Sequence, residues 1–415
     1  MPAHQHVAVV GASLAGLRAA EQLRAAGHDG PITVFGAEPH LPYNRPPLSK
    51  EALADPRAAE PSGLAERLSF RRRAGIADVE FRLGDPVTST DLAAGTLATE
   101  SGHRTAYDGL VVATGLRPRR LVTPGPTAGR HVLRTVEDCH GLSAAVRRRG
   151  SVRVVVIGAG FIGCEAAATL STLGHTVTVV EPAGPPMARV IGDVLAAAVQ
   201  RHHEAAGIRF VLGTGVTAFT GDDRVTGDDR VTGVVLDSGE TLPADVVVEA
   251  VGSVCNTEWL EGNGLPLGDG VLTDNHLQVA GASRAVAVGD IARFPNPLFD
   301  EVPRRVEHWS IPTDTAKRAA ATLVALLAGE LPDGVPFAPV PSFWSDQLGL
   351  RLQSYGSPAL ADEVRIAEGD PHHLPGGLLA RYHRDGRLVG TLAVNIPPAR
   401  QRDLRSEFAV LVPTA

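Results

Sequence analysis

Residues 152–181 read VRVVVIGAGFIGCEAAATLSTLGHTVTVVE. The apolar run VRVVVI has strand character, and the Ala- and Leu-rich stretch after the glycines has helix character. A second apolar run, TVTVVE, closes the unit on an acid. Gly158, Gly160 and Gly163 spell a complete GxGxxG between the first strand and the helix. Glycines there allow a tight turn and a close backbone approach to a pyrophosphate, which then lies on free N–H groups at the helix start. Phe161, Ile162 and Glu165 open the helix, and Glu165 is expected in its first turn. Glu181 stands 23 positions after Gly158, near the spacing expected of a ribose-binding acid. A carboxylate there suits the two ribose hydroxyls of NADH and repels the phosphate of NADPH. Pro182 and Ala183 offer no cation, and Arg189 lies further on, so NADH is the expected donor.

The same plan occurs earlier, in HVAVVGASLAGLRAAEQLRAAGHDGPITVFGAE at 6–38. VAVV is a strand, Gly11 turns the chain, Leu14 to Ala26 reads as a helix, and ITVF leads to Glu38. Ser13 replaces the middle glycine of the motif; Ala15 and Gly16 keep the helix start small. Two such units imply two dinucleotides, and the common reason to hold two is hydride relay from a nicotinamide to a flavin.

The rest of the composition narrows the class. Charged residues make up 20% of the 415, and the net charge of −7 argues against a nucleic-acid binder. No apolar run approaches the roughly 20 residues of a membrane span, and the first residues do not resemble a signal peptide. A cytoplasmic protein is expected. Cys139, Cys164 and Cys255 are far apart, which argues against a disulfide, a zinc site or a local redox dithiol.

PYNRPPLSK at 42–50, taken with the two glycine motifs, resembles the pyridine-nucleotide flavoproteins of the ferredoxin reductase type, which serve bacterial oxygenases and are similar to rubredoxin and putidaredoxin reductases. The likeness runs along nearly the whole chain. It implies FAD in the first unit and NADH in the second. It implies that Lys50 sits near flavin N5, where Glu165 could pair with it. Arg45 would contact the FAD phosphates or adenine. Val87, then Ala113, Thr114 and Gly115, then Arg134 in LRTVEDC, would line the FAD site. AVGSVCNTEWL, with Gly252, matches a strand and loop beside the nicotinamide. Asp290 in AVGDIARF would bind near the ribityl chain. RVEHW, with Val306 and Glu307, and SFWSDQLGLRLQ, with Trp344, would pack around the flavin and nicotinamide. The sequence departs from the family at Asn44 (usually Asp), Cys255 (usually Pro) and Ser342 (often larger).

The expected fold is α/β: two Rossmann-like domains in a glutathione-reductase-like arrangement, plus a C-terminal α/β reductase domain. FAD would take residues 1–115 and 248–325, NADH residues 116–247, and the third domain residues 326–415. A perfect tandem repeat, GDDRVT at 221–226 and 227–232, is expected to lengthen a hairpin. The expected function is electron transfer from NADH through FAD to a two-iron, two-sulfur ferredoxin. That carrier would feed a haem-thiolate monooxygenase or a Rieske dioxygenase. Two alternatives stay open: an NADH oxidase or diaphorase, and an NADH-sensing flavoprotein like the apoptosis-inducing factors.

Overall fold

In the computed structural model, residues 5–60, 63–148, 150–221 and 230–408 are described. The first glycine unit forms the strand Val7–Val10, the helix Leu14–Ala25 and the strand Ile32–Gly36. All four residues of Val7–Val10 are buried, because a central parallel strand is covered on both faces. Val7 pairs in parallel with Ile32 on one side and Gly109 on the other. The strands Glu80–Leu83 and Ala285–Ala287 complete a five-stranded parallel sheet.

The second unit repeats this. Arg153–Ile157 runs between Thr176–Glu181 and Val246–Glu249, with Arg209–Leu212 and Arg130–His131 at the edges, all parallel. In both sheets the strand before the glycine turn is central, with neighbours on opposite sides that the chain reaches in opposite directions. That is the topological switch point at which open α/β sheets take ligands. Leu116–Pro118 and Ser253–Cys255 pair antiparallel where the chain leaves the first sheet and returns to it. The last segment of the first sheet's domain, the helix Ile311–Ala328, packs along Leu14–Ala25.

The C-terminal sheet is antiparallel throughout. Its order is Ser342–Gln347, Leu350–Gly356, Arg387–Val394, Leu378–Arg384, Glu363–Gly369, and the helix Pro398–Ser406 follows. It shares one hydrophobic core with the second unit, where Leu352, Leu378 and Tyr382 lie with Val156 and Leu170. Tyr382 also donates its hydroxyl proton to the Ile191 carbonyl at 2.7 Å. This docking carries Ser342–Gln347 to the helix Phe161–Thr172, and the Phe343 ring packs at a tilt against Phe161, centroids 4.7 Å apart. Val216–Gly221 and Val231–Leu236 pair antiparallel around the tandem repeat, most of which, residues 222–229, lies outside the described residues. Among the described residues, no helix is long and apolar enough to cross a membrane.

Candidate functional site: a cleft between two glycine turns

The two glycine turns are built alike. Gly11 has φ +119°, and a Cβ there would stand 2.1 Å from the Ala113 carbonyl oxygen. Gly158 has φ +101°, and its Cβ would stand 2.3 Å from the Ala250 carbonyl oxygen. In each case the first glycine lies against the alanine that follows the returning strand, so any side chain would part turn from sheet. Gly16 and Gly163 close-pack on the Gly11 and Gly158 carbonyls in the same way. Around Gly160 there is nothing within 4 Å of where a Cβ would sit. That space is the approach a pyrophosphate needs. Neither helix start carries a side-chain cap; the Ser13 hydroxyl instead accepts from Arg45 Nε at 3.3 Å. The helix N–H groups are therefore left for a ligand.

The acids that end the two units hold the loops around them. Glu38 accepts from Arg45 Nη2 and from the Tyr43 hydroxyl, each at 2.5 Å. Arg45 also donates to the Arg134 carbonyl at 2.7 Å and lies over the Tyr43 ring. Burial and the Glu38 charge keep the Tyr43 phenol protonated well above its usual range, while Arg45 opposes this. Glu181 takes the Ala159 N–H at 2.8 Å and the Ala183 N–H at 2.9 Å.

Between the turns lies one cleft of about 1380 Å³. Single small-molecule sites run to roughly 300–1,000 Å³, so this one has room for two ligands. Gly11, Ser13, Leu14 and Ala15 line one part, and Gly160, Phe161, Ile162 and Gly252 another. Glu38, Arg45, Val87, Ala113, Thr114 and Gly115 also face it, as do Arg134, Asp290, Glu307 and Trp344. Gly16, Gly158 and Gly163 sit behind the lining as packing contacts. Val306, Glu181 and Arg189 are not on its wall, and Arg189 is exposed on the short helix Ala188–Ile191.

At the centre, Lys50 Nζ meets Glu165 Oε2 at 2.6 Å. One expectation needs correction. Glu165 is the fifth residue of Phe161–Thr172, beyond its first turn, and is 3% exposed. It is not there to meet the helix dipole. It is a buried carboxylate held by partners from elsewhere: Ser49 Oγ on Oε2 and Ser345 Oγ on Oε1, each at 2.6 Å. Ser49, Ser345, Gln347 and His203 were not singled out from sequence. The available signal was Ser345 and Gln347 sharing the buried face of their strand with Phe343, where apolar residues are the norm.

Beside the pair, Arg134 Nη2 lies 3.6 Å from Asp290 Oδ2. Burial pushes the Asp290 carboxyl up from its ordinary range, Arg134 and Arg305 pull it down, and Glu307 raises it again. Glu307 accepts from Arg305 Nη1 at 2.9 Å and from Ser253 Oγ at 3.2 Å. Trp344 meets Trp309 edge-on at 5.3 Å, and Trp309 is 41% exposed, so this wall reaches solvent.

Residues 5–316 match the model of the pyridine nucleotide-disulphide oxidoreductases. The chain belongs to that family. Residues 342–405 match a second model, the reductase C-terminal domain. The ferredoxin reductase component of the chlorobenzene dioxygenase of Cupriavidus sp. (strain PS12) is 35% identical over 94% of this chain and 90% of its own length. The ferredoxin reductase for the CYP199A2 system of Rhodopseudomonas palustris is 36% identical, with a TM-score of 0.84 over 94% of this chain and 91% of that one. The reductase in the covalent putidaredoxin reductase–putidaredoxin complex superposes with a TM-score of 0.85 at 30% identity, covering 99% and 93%. The resemblance read from 42–50 and the two glycine units is thus borne out.

The disulphide of the family's name has no counterpart in this oxidoreductase's cleft. Cys139 and Cys164 are buried, and burial pushes both thiols far up. Cys255 is half-buried on the strand Ser253–Cys255, and none of the three lines the cleft.

Proposed function

We propose that this chain is an FAD-dependent NADH:ferredoxin oxidoreductase, passing electrons to a two-iron, two-sulfur ferredoxin that supplies a monooxygenase or dioxygenase. The observation that carries the reading is the Lys50–Glu165 pair at 2.6 Å, where two glycine turns share a cleft without cysteines. A bound flavin takes a hydride from a nicotinamide and releases the electrons singly, which suits a one-electron carrier. The Gly11 turn, Glu38, Arg134 and Asp290 would hold FAD; the Gly158–Gly163 turn, Glu181 and Glu307 would hold NADH. Residues 1–115 and 248–325 serve the first task, 116–247 the second, and 326–415 cover the junction. Lys50 keeps a positive charge where negative charge develops on hydride arrival, and Glu165 keeps that ammonium in place. Glu181 favours NADH because its carboxylate accepts ribose hydroxyls and repels a phosphate. The exposed Trp309 edge of the cleft is where a protein carrier could approach. The reading puts the protein in the cytoplasm, consistent with three free cysteines.

The test is anaerobic stopped-flow mixing of the FAD-loaded protein with NADH, then with a two-iron ferredoxin. Flavin bleaching followed by ferredoxin reduction at a comparable rate is the expected result. Bleaching without ferredoxin reduction, together with rapid oxygen uptake, would replace this reading with an oxidase.

A further inference from the structure

The geometry points to Ser345 and Gln347 as positioning residues that fix the Glu165 carboxylate, and through it the Lys50 ammonium, from the C-terminal sheet. This rests on the role given to Lys50 above. Lysine is a point charge on a flexible stem. Lys50 Nζ donates to the Pro46 carbonyl at 3.2 Å and meets the Glu165 carboxylate at 2.6 Å. The charged partner is the nearer one, and the contacts on Glu165 fix where it stands.

Those contacts have a defined direction. A hydroxyl has one proton to give, and an amide nitrogen can only donate. Gln347 Nε2 donates to Ser345 Oγ at 2.8 Å, so the Ser345 proton is left for Glu165 Oε1 at 2.6 Å. The Gln347 amide is itself oriented. Its Oε1 meets His203 Nε2 at 2.9 Å, and His203 is fully buried. Burial pushes that imidazole down to about 4, so it is neutral at pH 7 and must carry its proton on Nε2 to donate.

The same Gln347 nitrogen reaches Met187 Sδ at 3.7 Å. Met187 has φ +59°, and its N–H donates to the Ala159 carbonyl at 2.9 Å, inside the second glycine turn. Gln347 thus touches the residue that holds Glu165 and, on its other side, Met187, whose backbone is bonded to the second glycine turn. Plain packing does not require this: apolar side chains at 345 and 347 would fill the buried face as Phe343 does. A row of polar groups aimed at one carboxylate is what fixing an orientation requires.

The experiment uses the FAD-loaded full chain and four variants: Ser345→Ala, Gln347→Met, Lys50→Met and Ser345→Ala with Lys50→Met. The limiting rate of anaerobic reduction by NADH and the flavin reduction potential are read together. Ser345→Ala is expected to lower the rate about tenfold, as small misplacements of a reacting group do. It is expected to shift the potential negative, with the apparent Kd for NADH unchanged. Added to Lys50→Met, it should change neither quantity further, because a residue acting through Lys50 has nothing left to act on. Wild-type rate and potential in Ser345→Ala, or an equal loss on top of Lys50→Met, would overturn the assignment. Lys50→Met with wild-type rate and potential would instead overturn the reading of Lys50 itself. If Ser345→Ala fails to retain FAD, Gln347→Met, which keeps the Ser345 hydroxyl and the side-chain length, is judged on the same two scales.

Discussion

The Glu181 carboxylate accepts the Ala159 N–H at 2.8 Å, so the acid that would choose the nicotinamide also braces the glycine turn beneath it. Two roles on one carboxylate separate by substitution. Glu181→Gln keeps one oxygen for the Ala159 N–H, gives up the Ala183 N–H, which is exposed and can turn to water, and loses the charge. Its kcat/KM for NADH should fall about tenfold, the factor that 1.4 kcal/mol represents, with thermal stability nearly unchanged. Glu181→Ala with Pro182→Arg should raise the NADPH-to-NADH ratio of kcat/KM, while the melting temperature drops because the turn has lost its brace. Steady-state kinetics with both nucleotides decide it; an unchanged ratio removes the selectivity role.

Gly158 and Gly160 should respond in opposite ways to the same added methyl. Gly158→Ala meets the Ala250 carbonyl and needs φ +101°, so the variant should be poorly soluble or melt well below the parent. Gly160→Ala meets nothing and has φ −75°, so its melting curve should match the parent. Its KM for NADH should nonetheless rise roughly tenfold or more, because the methyl fills the space a pyrophosphate would use. Equal stability and equal KM in Gly160→Ala would mean that no dinucleotide lies there.

The Lys50–Glu165 pair makes a kinetic prediction. Lys50→Met should lower the limiting rate of flavin reduction by about 100-fold, the usual effect of removing one stabilising group from a developing charge. Glu165→Gln keeps the shape and leaves Lys50 without its counter-charge, so it should slow reduction less than Lys50→Met does. Stopped-flow traces at saturating NADH separate the two, and the reverse order would show that Glu165 does not act through Lys50.

Acid should destabilise the fold through its buried imidazoles. Burial pushes His131, His203 and His308 down to about 4, against 6.5 in a free chain. Between those values the unfolded chain binds protons that the folded one refuses, so stability is complete above pH 6.5 and is lost as the pH falls towards 4. For the fully buried His203 the whole loss is about 3 kcal/mol. Asp290 runs the other way, since burial raises its carboxyl and acid neutralises a charge the fold disfavours. Melting temperature followed from pH 7 to 4.5 should fall, and His203→Leu should flatten that fall. Because Asp290 opposes the imidazoles, the comparison decides: a His203→Leu profile that parallels the parent would show that this imidazole is not held neutral.

Much of this site was written along the chain. The glycine spacings gave the two turns, because the φ +119° and φ +101° positions and the contacts on Ala113 and Ala250 are local demands of a strand–turn–helix unit. Glu38 and Glu181 were legible for the same reason, the first lying just beyond the strand that follows its helix and the second ending it. PYNRPPLSK marked Lys50 by resemblance. The resemblance also gave Glu165 as a partner for Lys50, but its expected place in the first turn did not hold, because that depends on where the helix begins.

The sequence by itself determined two parallel strand–turn–helix–strand units, their dinucleotide turns and their acids, since each follows from residues within about 30 positions of one another. Only the tertiary structure decided that Ser49, Lys50, Glu165 and Ser345 share one hydrogen-bonded cluster. Ser345 is 180 residues from Glu165. Nothing near it in the chain specifies that distance. The docking of the C-terminal sheet on the second unit does so, through the core shared by Leu352, Tyr382 and Leu170. Burial of that apolar surface holds the sheet in place, and Ser345 is then left facing Glu165, with Gln347 behind it.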